Sequence, residues 1–273
     1  MEGLLLIGCG AMGSALLKGC CADLKLPGPF VVVAPRKDSV VPFMQDSRVR
    51  YVACVEDLAK LPSVVVCAIK PSLIGQVLPQ YAPLLSKETL FMSVAAGVSL
   101  ATYRRLLGSA PTIVRVMPNL ASSVGWGQSL FCADLSLNAL QSDKVSSLLK
   151  VLGHVIPVEN EDMLERLTPL VGCGPAFIFR FMEALSQATQ HLGVSQKEAS
   201  SMTRDLMIGC GRFLEASSKD VAELRRDVTS PQGVTHAGLV VFNKDQGLDH
   251  LVLDVLNASY ARALEMGREY GGQ

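Results

Sequence analysis

Leu4-Leu5-Leu6-Ile7-Gly8-Cys9-Gly10-Ala11-Met12-Gly13 decides the fold of this chain. Four aliphatic residues read as a strand buried on both faces, and a G-x-G-x-x-G spacing follows at once. A helical pattern begins at Met12. In that setting the first glycine permits a tight turn, the second lets backbone approach a pyrophosphate, and the third lets helix close on strand. The helix start adds free N–H groups and the positive end of a dipole. Without its flanks the spacing is an ordinary glycine turn. With them, Ile7, Gly8, Cys9, Gly10, Ala11, Met12 and Gly13 are candidates for holding a dinucleotide.

Outward from this stretch, short aliphatic runs alternate with helical patterns. Strands are expected at Leu4–Ile7, Phe30–Ala34, Arg50–Ala53, Ser63–Ile69, Thr89–Val94, Thr112–Met117, Gln128–Cys132 and His154–Val158. Helices are expected at Met12–Ala22, Leu73–Tyr81, Leu100–Leu107 and Ala139–Leu152. That alternation predicts an α/β domain with a mainly parallel sheet. Near Glu159 the pattern changes. Helices alone are expected beyond it, at about Asp162–Leu167, Ala176–Leu192, Gln196–Ala216, Asp220–Asp227, Thr235–Gln246 and Leu248–Arg268. Ser195 with Glu198 spells a capping box, and Gly193 ends the preceding helix. The division expected is residues 1–159 for the nucleotide domain and 160–273 for a helical domain, with Gly271 to Gln273 frayed.

Ligands of parallel sheets bind beyond the carboxyl ends of the strands. The second strand ends in Ala34-Pro35-Arg36-Lys37, with no carboxylate to take ribose hydroxyls. Arg36 and Lys37 suit a 2′-phosphate, which points to NADPH with NADH as the alternative; two solvated basic residues would read the same. Ala68-Ile69-Lys70-Pro71 and Ala95-Ala96-Gly97 close two further strands, and their small residues admit a flat nicotinamide ribose. Lys70 reads equally as a surface lysine. Asn119, after Met117-Pro118, caps a turn or bonds a ligand; the sequence does not separate the two.

The chain has 273 residues, 49% hydrophobic and 18% charged, enough for a large aliphatic core. Basic and acidic residues balance at 25 each, so no nucleic-acid or membrane footprint is visible. The eight cysteines form no C-x-x-C pair and sit in apolar contexts, which fits a reduced cytoplasmic protein with no metal site. No leader or spanning segment is legible.

The order of motifs resembles the pyrroline-5-carboxylate reductase family over nearly the whole chain. The carriers are the glycine loop, Ala68-Ile69-Lys70-Pro71, Ser93 to Val98, Arg115-Val116-Met117-Pro118-Asn119, Gly172-Cys173-Gly174-Pro175-Ala176-Phe177 and, most specific, Leu224 to Thr235. The resemblance implies a Rossmann-like domain holding NAD(P)H. It also implies a helical domain that interleaves with a second subunit in a homodimer, with dimers assembling into decamers. The implied small-molecule substrate is a cyclic imine carboxylate, reduced to proline. On this basis Thr235 contacts the imine nitrogen, while Ser230, Gly233 and the backbone near Val234 hold the carboxylate within the loop Val228 to Thr235. Glu161 takes the place of the family's acidic substrate residue.

The same residues carry a direct chemical reading. A loop with Pro231 and Gly233 entering a helix offers N–H groups to a carboxylate. Thr235 reads as a pocket donor or as a plain helix N-cap. His236 beside it reads as a pocket residue or a helix-surface histidine. There are departures from the family pattern. Gln232 stands where the family has glycine, and a positive φ there costs about 1–2 kcal/mol. Val234 replaces a small or hydroxylated residue, and Val55 lies near the place of a ribose-binding Asn. Two rival readings follow. One is a two-domain reductase of another cyclic imine or a hydroxyacid, which needs a helical-domain base, whereas Lys197 is the sole lysine from Gly172 to Gly211. The other is a family member that binds NADPH without turnover.

Overall fold

The computed structural model describes residues 3–58 and 61–271. Eight strands form one sheet: β1 Leu4–Ile7, β2 Phe30–Val33, β3 Val49–Val52, β4 Val64–Cys67, β5 Leu90–Ser93, β6 Thr112–Pro118, β7 Gly127–Ala133 and β8 Gly153–Pro157. Their order is β3-β2-β1-β4-β5-β6-β7-β8, parallel at every pairing except β6 with β7. The helices are α1 Ala11–Ala22, α2 Ile74–Val77, α3 Leu100–Leu107, α4 Ala139–Lys150, α5 Glu161–Thr168, α6 Gly174–Gln190, α7 Gln196–Ala216, α8 Val221–Asp227, α9 Val234–Asn243 and α10 Gly247–Gly271. Each expected strand is present to within a residue or two. Among the described residues no strand follows Pro157.

The inner strands are apolar throughout because both faces are covered. Leu4 and Leu6 enter one core with Leu16, Leu17 and Leu148, while Leu5 and Ile7 enter the other with Leu78, Phe91 and Tyr103. Each fully buried Leu or Val contributes about 1.5–3 kcal/mol, so the two cores hold the sheet rigid. Chain order reverses at β1, between β2 and β4, which opens a crevice at the carboxyl end of β1.

Three helical readings are corrected. The helix expected over Leu73–Tyr81 is one α-turn, Ile74–Val77, set among 3₁₀ turns Pro71–Leu73, Leu78–Gln80 and Ala82–Leu84. Pro79 and Pro83 lack the N–H that a continuing helix needs. The helix expected to end at Leu167 runs on through a π-turn, Pro169–Cys173, into α6. Gly172 within it lies so close to Met117 that a β-carbon would overlap Met117 Cε. The helix expected over Thr235–Gln246 is α9, Val234–Asn243, followed by a 3₁₀ turn, Lys244–Gln246. The Ser195–Glu198 capping box is present, and Gly193 takes φ +89° after α6.

By packing the chain forms two compact units, Met1–Cys173 with Ser259–Gln273, and Gly174–Ala258. In packing, α5 belongs with the first unit, where it pairs with Arg115 of β6, and so does the end of α10. Of the residues expected to fray, Gly271 ends α10, while Gly272 and Gln273 lie outside the described residues.

Candidate active site

The glycine loop stands at the crevice. Gly8 N–H donates to the Val33 carbonyl and Ala68 N–H to the Ile7 carbonyl, both at 2.8 Å, so β1 is clamped to its two neighbours up to the turn. Gly8 has φ +88°, and a β-carbon there would stand 2.6 Å from Ile69 Cγ2. A β-carbon on Gly13 would stand 2.5 Å from the Gly8 carbonyl, which is the close helix–strand approach expected of the third glycine. Gly10 is different: nothing lies within 4 Å of the place its β-carbon would take. It is the N-cap of α1 with no side-chain cap. Among the described residues the amides of Ala11, Met12 and Gly13 have no acceptor. An open glycine edge with three unpaired donors at a helix start fits a phosphate.

The other nucleotide candidates converge on the same sheet edge. Cys9 is 6% exposed, and its thiol donates to the Ser39 carbonyl at 3.4 Å. That contact ties the loop to the turn bearing Arg36 and Lys37, both exposed. Ile7 is buried in the core, so only its backbone faces the loop. Ala68, Ile69 and Pro71 are half-buried at the end of β4, and Lys70 is exposed. Burial pushes the neighbouring Cys67 thiol up to about 11, leaving it inert. Ala95, Ala96 and Gly97 follow β5. Gly97 has φ +74°, and a β-carbon on it would meet Met266 Cβ of α10 at 3.2 Å. Beneath this loop Ser93 Oγ and Tyr103 Oη share a hydrogen bond of 2.5 Å, and Ser93 Oγ accepts from Ala95 N–H at 3.3 Å. Asn119 Oδ1 accepts from Ala121 N–H at 3.2 Å and Gln128 N–H at 3.3 Å, so Asn119 caps its turn. Val55 packs in the core, where no hydrogen bond to a ribose is open to it.

The second unit gathers the other candidates into one turn. Gly233 N–H donates to the Ser230 carbonyl at 3.0 Å, closing Ser230-Pro231-Gln232-Gly233. Gln232 has φ +59°, the left-handed value at the third turn position that ordinarily calls for glycine. A β-carbon on Gly233 would displace the Ser230 hydroxyl and stand 3.1 Å from the Ser230 carbonyl, so glycine leaves that hydroxyl where it is. Gly233 is the N-cap of α9, again with no side-chain cap. Thr235 is therefore inside the helix and does not cap it, and its hydroxyl is exposed without a partner among the described residues. The amides of Val234, Thr235 and His236 likewise have no acceptor there. Val228 is exposed at the C-cap of α8. Behind the turn, Arg225, Arg226, Thr229, His236 and Asn243 line a concavity of ≈ 380 Å³ that has no carboxylate in its walls. His236 thus stands on the helix surface and in this concavity at once.

Glu161 opens α5. Its Oε1 accepts from Leu100 N–H at 2.7 Å and from Arg115 Nη1 at 2.6 Å. Arg115 Nη2 reaches Glu165 Oε1 at 2.7 Å. Sequence reasoning missed the Arg115–Glu165 pair, although an arginine inside the apolar strand Thr112–Pro118 was the signal for it.

Comparison with known proteins shows the family of this chain. Residues 161–266 match the family model described as pyrroline-5-carboxylate reductase dimerisation, and residues 4–97 match that of NADP oxidoreductase, coenzyme F420-dependent. A pyrroline-5-carboxylate reductase of Pseudomonas aeruginosa is 30% identical over 97% of each chain. The chain belongs to the pyrroline-5-carboxylate reductase family. A solved pyrroline-5-carboxylate reductase of Coxiella burnetii superposes with a TM-score of 0.90 at 32% identity, over 97% of this chain and 98% of that one. The Plasmodium falciparum pyrroline carboxylate reductase, solved with NADP bound, has a TM-score of 0.81 at 27% identity over 97% and 98%. Family membership extends over both units. No helix among the described residues is long and apolar enough to cross a membrane.

Proposed function

We propose that this protein reduces 1-pyrroline-5-carboxylate to L-proline, the final step of proline biosynthesis, with NADPH as the preferred donor and NADH as the alternative. The observation that carries this reading is the uncapped start of α9, where three free amides, the Ser230 hydroxyl and the Thr235 hydroxyl meet in one turn. Free amides at a helix start favour a carboxylate. The two guanidiniums beside the turn, with no carboxylate opposing them, favour an anion as well.

The cofactor supplies the hydride for the imine carbon; the chain binds and orients. Gly8 to Gly13 and the α1 amides hold the pyrophosphate. Arg36, supported by Lys37, takes the 2′-phosphate. Ala68 to Pro71, including Lys70, with Ala95, Ala96 and Gly97, border the nicotinamide half. Asn119 shapes the rim by fixing its turn. On the substrate side Ser230, Gly233 and Val234 hold the carboxylate, with Val228 at the loop's start. Thr235 sets the ring nitrogen by donating to it or accepting from it. An iminium is already electrophilic, so no strong protein acid is needed.

The chain acts as a homodimer through residues 160–273, with decamers as the larger assembly. Support comes from the dimerisation description of the matched family model and from the apolar side chains that the second unit leaves exposed. A cytoplasmic location is proposed on eight free cysteines. The test is oxidation of NADPH and of NADH by purified protein, with pyrroline-5-carboxylate and with the unsubstituted pyrroline ring. Turnover that depends on the carboxylate, faster with NADPH, is expected. NADPH binding without turnover of either ring would overturn the assignment.

A further inference from the structure

Arg115 is a charge that the proposed reaction leaves unused. It lies in β6 between Val114 and Val116, with its side chain 5% exposed. A guanidinium in such a place costs several kcal/mol unless paired, and it is paired twice, with Glu161 and Glu165. Both carboxylates project from one face of α5, four residues apart. One would neutralise the charge, and Glu165, 14% exposed against 30% for Glu161, is the better shielded.

Glu161 does something Glu165 does not. The oxygen that meets Arg115 also accepts the Leu100 amide. Leu100 is the first residue of α3, and the segment between β5 and α3 contains Ala95, Ala96 and Gly97. That segment is tied at its near end by Ser93 Oγ to the Ala95 amide, and at its far end by Glu161 to the Leu100 amide. Gly97, at the middle, borders a cleft of ≈ 360 Å³ with Arg115, Glu161 and Glu165.

We infer that Arg115 and Glu161 are positioning residues of the reaction: Arg115 fixes the Glu161 carboxylate, and Glu161 fixes the Ala95–Gly97 loop through the Leu100 amide. A role in aligning the nicotinamide thus stands beside the substrate role expected of Glu161. The inference rests on the proposed reading that this loop borders the nicotinamide half.

The experiment compares Glu161→Gln with Glu165→Gln: each removes one ion pair from the same guanidinium, and the first alone also exchanges the charged acceptor of the Leu100 amide for a weaker, neutral one. NADPH is titrated into each full-length protein, and the fluorescence anisotropy of the bound dihydronicotinamide is read at saturation. Thermal melting, kcat with pyrroline-5-carboxylate and the isotope effect of NADPH deuterated at the transferred position complete the set. Glu161→Gln should lower the anisotropy, reduce kcat by about tenfold and enlarge the isotope effect, with NADPH affinity within about twofold of wild type. Glu165→Gln should lower the melting temperature more and leave anisotropy and kcat within about twofold of wild type. Arg115→Lys, which keeps the charge, should fall between wild type and Glu161→Gln in both anisotropy and kcat. Equal effects of the two glutamine variants, or wild-type behaviour of Glu161→Gln, overturn the inference. A wild-type protein that binds NADPH but reduces no cyclic imine overturns the proposed reaction alone, because the anisotropy contrast still decides the role of Glu161. A protein that binds no NADPH overturns both.

Discussion

Leu6 and Phe213 are both large apolar residues in regular secondary structure, yet Leu6 is 1% exposed and Phe213 58%. The contrast holds across the two units. In the first, the strands lock into two cores that cover both faces of the sheet. In the second, Gly174–Ala258, only Ala199, Thr203 and Leu224 are buried, while Ile178, Phe179, Met202, Leu206 and Leu251 are about half exposed or more. Helices with so few buried residues have not balanced the conformational entropy of ordering them. The first unit is thus built on cores of its own, and the second presents the apolar faces that suit a dimerisation domain, the description of its matched family.

The largest test of that contrast is to charge the exposed face. Phe179→Glu combined with Phe213→Glu should weaken self-association by roughly a thousandfold, about 4 kcal/mol, and abolish imine reduction. Sedimentation velocity checks it, and an unchanged assembly would remove these side chains from the interface. The opposite break is Leu6→Ala, expected to cost about 2–5 kcal/mol in urea unfolding of the first unit while leaving the assembly intact. Next come the ligand contacts. Thr235→Ala should lower kcat/KM by more than about tenfold, roughly 1.4 kcal/mol, with NADPH affinity unchanged. Arg36→Ala should weaken NADPH and spare NADH, and equal loss for both would remove the 2′-phosphate contact. The smallest effect belongs to Gln232→Gly. Relief of about 1–2 kcal/mol at φ +59° is offset by about 0.4–1 kcal/mol of added freedom in the unfolded chain. A rise in melting temperature of a few degrees is expected, and a fall would show that the glutamine side chain has a compensating contact in the assembly.

Much of this was legible beforehand because the deciding signals are local. The glycine spacing, the aliphatic strands and the Ser195 cap each act within a few residues. Gln232 announced its positive φ by standing where the family has glycine. Other features depended on what lies far off in sequence. A helical pattern over Leu73–Tyr81 looked continuous until Pro79 and Pro83 were weighed, and the π-turn at Pro169–Cys173 carries Gly172 against Met117, about fifty residues earlier. Glu161 was legible only as the counterpart of an acidic substrate residue, because nothing near it in sequence names Arg115 or Leu100 as partners.

The end of α10 belongs with the nucleotide unit, and Met266 and Tyr270 lie over Gly97. During synthesis the sheet emerges from the ribosome long before this cover does. The nucleotide unit must therefore wait, with one loop bare, until almost all of the helical segment has been translated. A chain interrupted anywhere in that segment would present a nearly finished sheet lacking its last piece, a species for chaperones to hold and proteases to find.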